Sequence, residues 1–363
     1  MNFFKSFLAS FIGTFIALGL VTIFFFMGIA AIATSINFEK DELAWVSESS
    51  VLELDLNTLI VDRSPAYNPL ESFSGFGSRM SGMDKILGSI NKAKSDDNIK
   101  GIKLHSGFIS SGWAQAREIR KALAAFKTSG KFIYAYSDIM SQKGYYVSSI
   151  ADSIFMNPLG VMELKGLSSE VLYYEGFQNQ YGVKMEVIRH GKYKSAVEPY
   201  LQDHMSAENR MQIQGLLNSV WGTLRDEVSE SRGLTSNTID ALADDLVVTD
   251  AESALKHGLI DGLIYEKDFE NRIKQGLEIE AAEEYKFISF NKINVRIQEY
   301  NNEIADRIAI IYAQGPILYT EGSDEIIGKE SMNKAFEEIL DSKKIKAVVL
   351  RIDSPGGDAM SSE

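Results

Sequence analysis

The segment HGKYKSAVEPY, His190 to Tyr200, sets a lysine in surroundings that suit proton transfer better than solvation. Lys194 stands between Tyr193 and Ser195 and is followed by the apolar pair Ala196 and Val197. A lysine with an ordinary pKa near ~10.4 acts as a base at neutral pH only when burial or a nearby cation lowers that value by roughly two to four units. Arg189, His190 and Lys192 are the cations close by in sequence. A lysine taken alone is usually a solvated surface residue, so the rest of the chain has to carry the assignment. Ser195 adjoins Lys194, and on a strand it would point to the opposite face, which suits orienting the lysine better than reacting with it.

Other chemistry is sparse. There is no cysteine, which removes disulfides, thiolate metal sites and a cysteine nucleophile together. His105, His190, His204 and His257 show no zinc-binding spacing such as HExxH, so no metal and no cofactor is expected. Ser89–Lys92 reads SINK, an SxxK pattern that is common by chance, and its companion motifs SDN and KTG are absent. Asp358 and Glu198 are not paired or spaced in a way that singles out a carboxylate mechanism.

The chain has 363 residues, 45% of them hydrophobic, enough for a sizeable core and about two domains. A formal net charge of -13 argues against nucleic acid or an anionic lipid surface as partner. Between Lys5 and Glu39 there is no charged residue, and Phe7 to Ala33 is long and apolar enough to cross a bilayer as a helix. Lys5 before it and Glu39, Asp41 and Glu42 after it predict an amino terminus in the cytoplasm and the bulk of the chain outside. Ala31 and Ala33 offer a signal-peptidase site, but the apolar run exceeds the usual ~7–15 residues of a cleaved signal, which favours a retained anchor.

Beyond the anchor, strand and helix signals alternate. Val51 to Asp62, Ile99 to Leu104, Lys131 to Ser137 and Ser153 to Met156 read as strands, with helices at Met83–Lys94, Trp113–Lys127 and near Gly144. A further helix near Val171–Tyr181 and a strand KMEVIR lead into the lysine motif. After Ser206, the spacing of Met211, Ile213, Leu216, Leu217, Val220, Trp221, Leu224 and Val228 predicts a long helix with a core-facing stripe, ending before Gly233. Such βα alternation indicates an α/β domain.

The pattern then restarts. RIAIIYAQGPI (Arg307 to Ile317) revisits the strand at Val51, Met332–Ser342 revisits the helix at Met83, and IKAVVL (from Ile345) matches IKGIKL, 246 residues earlier at Ile99. Two tandem copies of one domain are expected: an anchor over 1–36, a first copy over 44–285, and the start of a second over 286–363. The second copy breaks off early, so the sequence reads as a fragment of a longer chain.

The anchor, GKYKSAVEPY and VVLRIDSPGGDAMSSE together resemble the long (67K) form of bacterial signal peptide peptidase A, peptidase family S49. The resemblance covers essentially the whole chain. It implies tandem Clp-protease/crotonase-like domains, a serine endopeptidase with a Ser/Lys dyad, Lys194 as general base, and hydrophobic peptides such as cleaved signal peptides as substrates. It further implies an inner-membrane location with the bulk periplasmic, and a homotetramer. The family's nucleophilic serine belongs to the second copy. Gln142, in SQKGYY (Ser141 to Tyr146), occupies the matching place in the first copy, which puts the serine at about position 388, beyond Glu363. Gly356 and Gly357 are the candidates for presenting backbone N–H groups to an oxyanion; the same residues also read as a plain turn. Ser354 precedes a proline turn with no base nearby in sequence and is a poor nucleophile candidate. Two other readings stay open: a catalytically silent scaffold on the same fold, and a crotonase-like acyl-CoA enzyme.

Overall fold

The computed structural model describes residues 2–35, 46–64, 80–188, 191–293 and 306–363. The chain divides into two units, Met1–Leu43 and Ala44–Glu363. The first contains helix α1, Asn2–Ser35. Its 26-residue stretch Phe3–Gly28 is long and apolar enough to cross a membrane, spanning about 39 Å at 1.5 Å per residue against a hydrocarbon core of about 30 Å. Thr14 and Thr22 satisfy their hydroxyls within the helix, on the Ser10 carbonyl (2.9 Å) and that of Leu18 (2.8 Å).

In the second unit the apolar runs become a parallel sheet wherever a crossover can return the chain. Strand β1 is Ser50–Asp55; the short β2 (Leu59–Val61) and β3 (Met80–Gly82) pair with each other and lead into helix α2, Met83–Ser95. Then come β4 (Ile99–His105), α3 (Trp113–Lys127), β5 (Phe132–Met140), α4 (Gln142–Ser148), β6 (Ser153–Met162) and α5 (Glu175–Tyr181). A 3-10 helix, Ser195–Tyr200, precedes the 26-residue α6, Ala207–Arg232. Helices α7 (Ser236–Asp244) and α8 (Ala251–Lys256), strand β7 (Gly262–Leu263), helix α9 (Glu266–Gly276) and strand β8 (Lys286–Ser289) follow. The sheet order is β7-β6-β5-β4-β1-β8, and every neighbouring pair runs parallel. Both faces are covered. Leu52 and Leu54 of β1 join a large cluster with Ile86, Ile90, Ile119, Leu123 and Leu224, while Val51 faces the smaller one formed by Tyr136, Phe155, Phe269 and Ile273.

The α/β class matches the expectation, and several local expectations need correction. Lys286–Ser289, read as the start of the second copy, is the edge strand β8 on β1, and Ile288, Phe290 and Ile293 enter the first core. KMEVIR is no strand over its described part: no partner strand reaches it, and Val183, Met185 and Ile188 are exposed. The helix expected from Val171 starts only at Glu175. In α6 the apolar stripe is continuous in sequence but covered only at its carboxyl-terminal half. Leu224 and Val228 are buried, whereas Met211 and Leu216 are 61% and 64% exposed.

The last described stretch holds β9 (Arg307–Gln314), β10 (Ile317–Leu318), β11 (Ile327–Gly328), α10 (Lys329–Asp341), β12 (Ile345–Asp353) and the short α11 (Ala359–Ser362). Its pairing follows that of the first strands. β1 on β4 starts Ser50↔Ile99, Val51↔Gly101, and β9 on β12 starts Arg307↔Ile345, Ile308↔Ala347, each skipping one lysine, Lys100 or Lys346. β10 pairs with β11 as β2 pairs with β3.

Helix α4 is held where three elements converge. A Cβ on Gly144 would sit 2.0 Å from the Ser106 carbonyl oxygen and 2.6 Å from that of Gly107, backbone atoms that cannot turn aside. Gly144→Ala is therefore expected to destabilise the fold by about 1–3 kcal/mol, read as a lower urea midpoint with an unchanged m-value.

Candidate active site

Helix α4 begins at the carboxyl end of β5, with Ser141 as its N-cap accepting from the Gly144 N–H at 3.2 Å. Two tyrosines lock it. The Tyr145 hydroxyl donates to the Leu259 carbonyl at 2.9 Å, and the Tyr146 hydroxyl to Glu227 Oε2 of α6 at 2.5 Å. Arg120 of α3 closes the corner, donating to the carbonyls of Tyr146 (3.2 Å) and Glu227 (2.7 Å). Burial holds both phenols well above the usual tyrosine range.

At the start of this helix stands Gln142. Its side chain zips onto the segment after β6: Nε2 donates to the Gly166 carbonyl (2.9 Å) and Oε1 accepts from the Lys165 N–H (2.8 Å). An amide joined this way is a fastener and has no nucleophilic oxygen to offer. Next to it, Lys143 lies over the Trp113 ring at 5.2 Å and donates to the Ser111 carbonyl. Burial lowers its pKa.

Lys194 is the N-cap of the 3-10 helix, and its side chain is exposed within this chain. Arg189 and His190, its expected cationic neighbours, lie outside the described residues; Lys192 is described and exposed. The apolar residues that follow Lys194 in sequence do not bury it here, because Ala196 is itself exposed. A cavity of about 400 Å³ borders the motif, lined by Ser195, Ala196, Pro199, Asn209, Ile213 and Leu216 among others. Glu198, which sequence reasoning passed over, is 1% exposed and tied to the first turn of α6. Its signal was present as a carboxylate eight residues before an N-cap serine.

The turn after β12 needs its glycines. Gly356 adopts φ +93° and Gly357 φ +158°, and a Cβ on Gly357 would meet the Ile317 carbonyl oxygen at 2.0 Å. β10 braces the turn: the Ile317 N–H donates to the Gly356 carbonyl (3.1 Å) and the Asp358 N–H to the Ile317 carbonyl (2.8 Å). The Gly356 N–H donates to Ser354 Oγ at 3.1 Å, which also accounts for that serine. This leaves the Gly357 N–H as the donor of the pair with no partner among the described residues. Lys194 and the glycine turn lie on different elements, and the cavity beside the lysine motif is not lined by the turn.

Arg351 in β12 ties the strand ahead of this turn to the first sheet's elements. Its Nε and Nη2 reach Asp62 Oδ2 and Oδ1 at 2.6 and 3.0 Å, and Nη2 reaches Glu118 Oε2 at 3.2 Å. Asp62 is 6% exposed and also accepts from Gln115 Nε2 at 2.9 Å.

Comparison with known proteins gives one family. Peptidase family S49 matches residues 125–280. The chain is similar to Protease 4 of Haemophilus influenzae, 30% identical over 290 residues, 77% of this chain and 47% of that protein. It is similar to Protease 4 of Salmonella typhi, 30% identical over 328 residues, 86% of this chain and 53% of that protein. A chloroplastic Arabidopsis thaliana protein named Serine protease SPPA is 31% identical over 327 residues, 88% of this chain and 46% of that one. The chain thus spans about half the length of these relatives.

The Arg351 guanidinium is the main cause holding the Asp62 carboxyl below the usual range, against the opposing effect of burial. A depressed carboxylate contributes stability above its unfolded pKa of about 3.9, and that contribution is lost as pH falls through the lower folded value. Arg351→Ala should cost about 1.5–3 kcal/mol at pH 7, and the gap between variant and parent should close as the pH drops below about 4, as read by thermal unfolding across a pH series.

Proposed function

We propose, from the premise that the chain belongs to peptidase family S49, that it supplies the base of a membrane-anchored serine endopeptidase acting on hydrophobic peptides. The observation that carries the reading is that the family match, residues 125–280, contains the GKYKSAVEP segment, while the matching place in α4 holds Gln142 and no nucleophile. The protein divides the labour between two tandem copies. Lys194 comes from the first; the serine belongs to the second.

The chemistry runs as follows. The lysine amine takes the proton from the serine hydroxyl as its oxygen attacks the scissile carbonyl. The resulting oxyanion is held by backbone donors at the Gly356–Gly357 turn, with the Gly357 N–H foremost. The lysine ammonium returns its proton to the leaving amine, and water, deprotonated by the same lysine, hydrolyses the acyl-enzyme. A lysine acts in this way only when neutral, so the exposed Lys194 is covered in the working enzyme, by bound peptide and by a further copy of the chain in a homo-oligomer. The α1 helix is the anchor. It holds the site beside the bilayer on the periplasmic side of the inner membrane, where cleaved signal peptides remain.

In the full-length protein, Lys194→Ala is expected to reduce turnover of a hydrophobic signal-peptide substrate by at least about a thousandfold while leaving the unfolding midpoint in place. Retained turnover would remove Lys194 from the mechanism.

A further inference from the structure

Resting on the Lys194 reading, we infer that Glu198 is the positioning residue for that lysine, fastening the short helix that Lys194 caps to the rigid start of α6. A carboxylate that is 1% exposed is costly unless its oxygens are answered. Three donors that answer it come from one stretch at the start of α6. Ser206 Oγ donates to Glu198 Oε1 at 2.6 Å, Asn209 Nδ2 to Oε2 at 3.0 Å, and the Ser206 N–H to Oε2 at 3.4 Å. Ser206 is also the N-cap of α6, accepting from the Asn209 N–H at 3.1 Å. The amino-terminal end of a 26-residue helix favours the negative charge placed against it.

This tether is a fixed point four residues from Lys194. On its amino-terminal side, residues 183–188 have no regular structure and carry exposed apolar side chains. On its carboxyl-terminal side, the 3-10 helix is stiffened by Pro199, whose carbonyl accepts the Tyr174 N–H at 2.7 Å, and by the Tyr200 ring stacked on Tyr174 at 5.6 Å. Glu198 lies four residues from Lys194, about one and a third 3-10 turns, and is the most deeply buried of the described residues in the motif. At about 2.0 Å rise per residue, a slip at Glu198 reaches the lysine backbone within about 8 Å. A displacement of about 1 Å in a proton-transferring group is enough to cost up to about a hundredfold in rate.

The test uses the full-length protein and a hydrophobic signal-peptide substrate. Glu198→Ala should lower kcat about tenfold or more with KM within about twofold, because the peptide still binds while the base is misplaced. Glu198→Gln, which keeps an acceptor for Ser206, should recover most of kcat, and Asn209→Ala should give an intermediate loss. Each variant is paired with its thermal unfolding midpoint, and if Glu198→Ala fails to fold, the glutamine and Asn209→Ala variants decide. Normal kcat in Glu198→Ala overturns the inference, as does a loss that follows only the amount of folded protein. Lys194→Ala, run alongside, separates the two readings. If it stays active, the base assignment itself falls; if it is inactive while Glu198→Ala is normal, only the tether falls.

Discussion

Parallel pairing is the constraint on which this molecule depends. A parallel neighbour cannot be reached by a tight turn, so each pair in β7-β6-β5-β4-β1-β8 requires an intervening length of chain that crosses a face of the sheet. That crossing explains why clusters form on both sides of β1. It also sends the connections out at one end. The segments that follow β4, β5 and β6 hold Ser111, Gln142 and Gly166, and these three meet through Lys143 and the Gln142 amide. In sheets of this kind, ligand sites gather beyond the carboxyl ends of strands, the end at which these three segments meet.

The β9–β12 pair reuses the same solution down to the skipped lysine, and its glycine turn sits at the same end of its strand as the Ser106–Gly112 loop does after β4. Charge joins the two regions. Asp62 and Arg351 are 289 positions apart, yet their contact is bidentate, with Asp62 buried and Arg351 half-buried. A bidentate fork fixes both distance and angle, so it sets the orientation of β12 as well as its attachment.

Much of the architecture was legible because burial on a sheet leaves a periodic trace. The βα alternation, the restart at Arg307 and the long helix after Ser206 could be read without coordinates. What escaped reading depended on partners distant in sequence. KMEVIR alternates like a strand, but a strand exists only where a neighbour accepts its hydrogen bonds, and none does among the described residues. The stripe on α6 shows that an apolar face exists and not whether anything covers it, so Met211 and Leu216 were misplaced. β8 was grouped with the strands that follow it because sequence proximity says nothing about which edge a strand will join. In the motif itself, Lys194 was legible as a type of residue with a type of chemistry. Its exposure was not, and neither was Glu198, whose partners come from a different helix.

The placement of β8 has a consequence in time. β1 is made early, but the strand that closes its outer edge lies at Lys286–Ser289. At roughly 5–20 residues per second of synthesis, the hydrogen-bonding groups along that edge wait on the order of ten to fifty seconds for their partner. An unpaired strand edge is a template for wrong pairing, and α2 and α3 can cover a face of β1 while β4 pairs with its other edge, without closing this one. Until Lys286–Ser289 is made, any sheet formed around β1 has one open border.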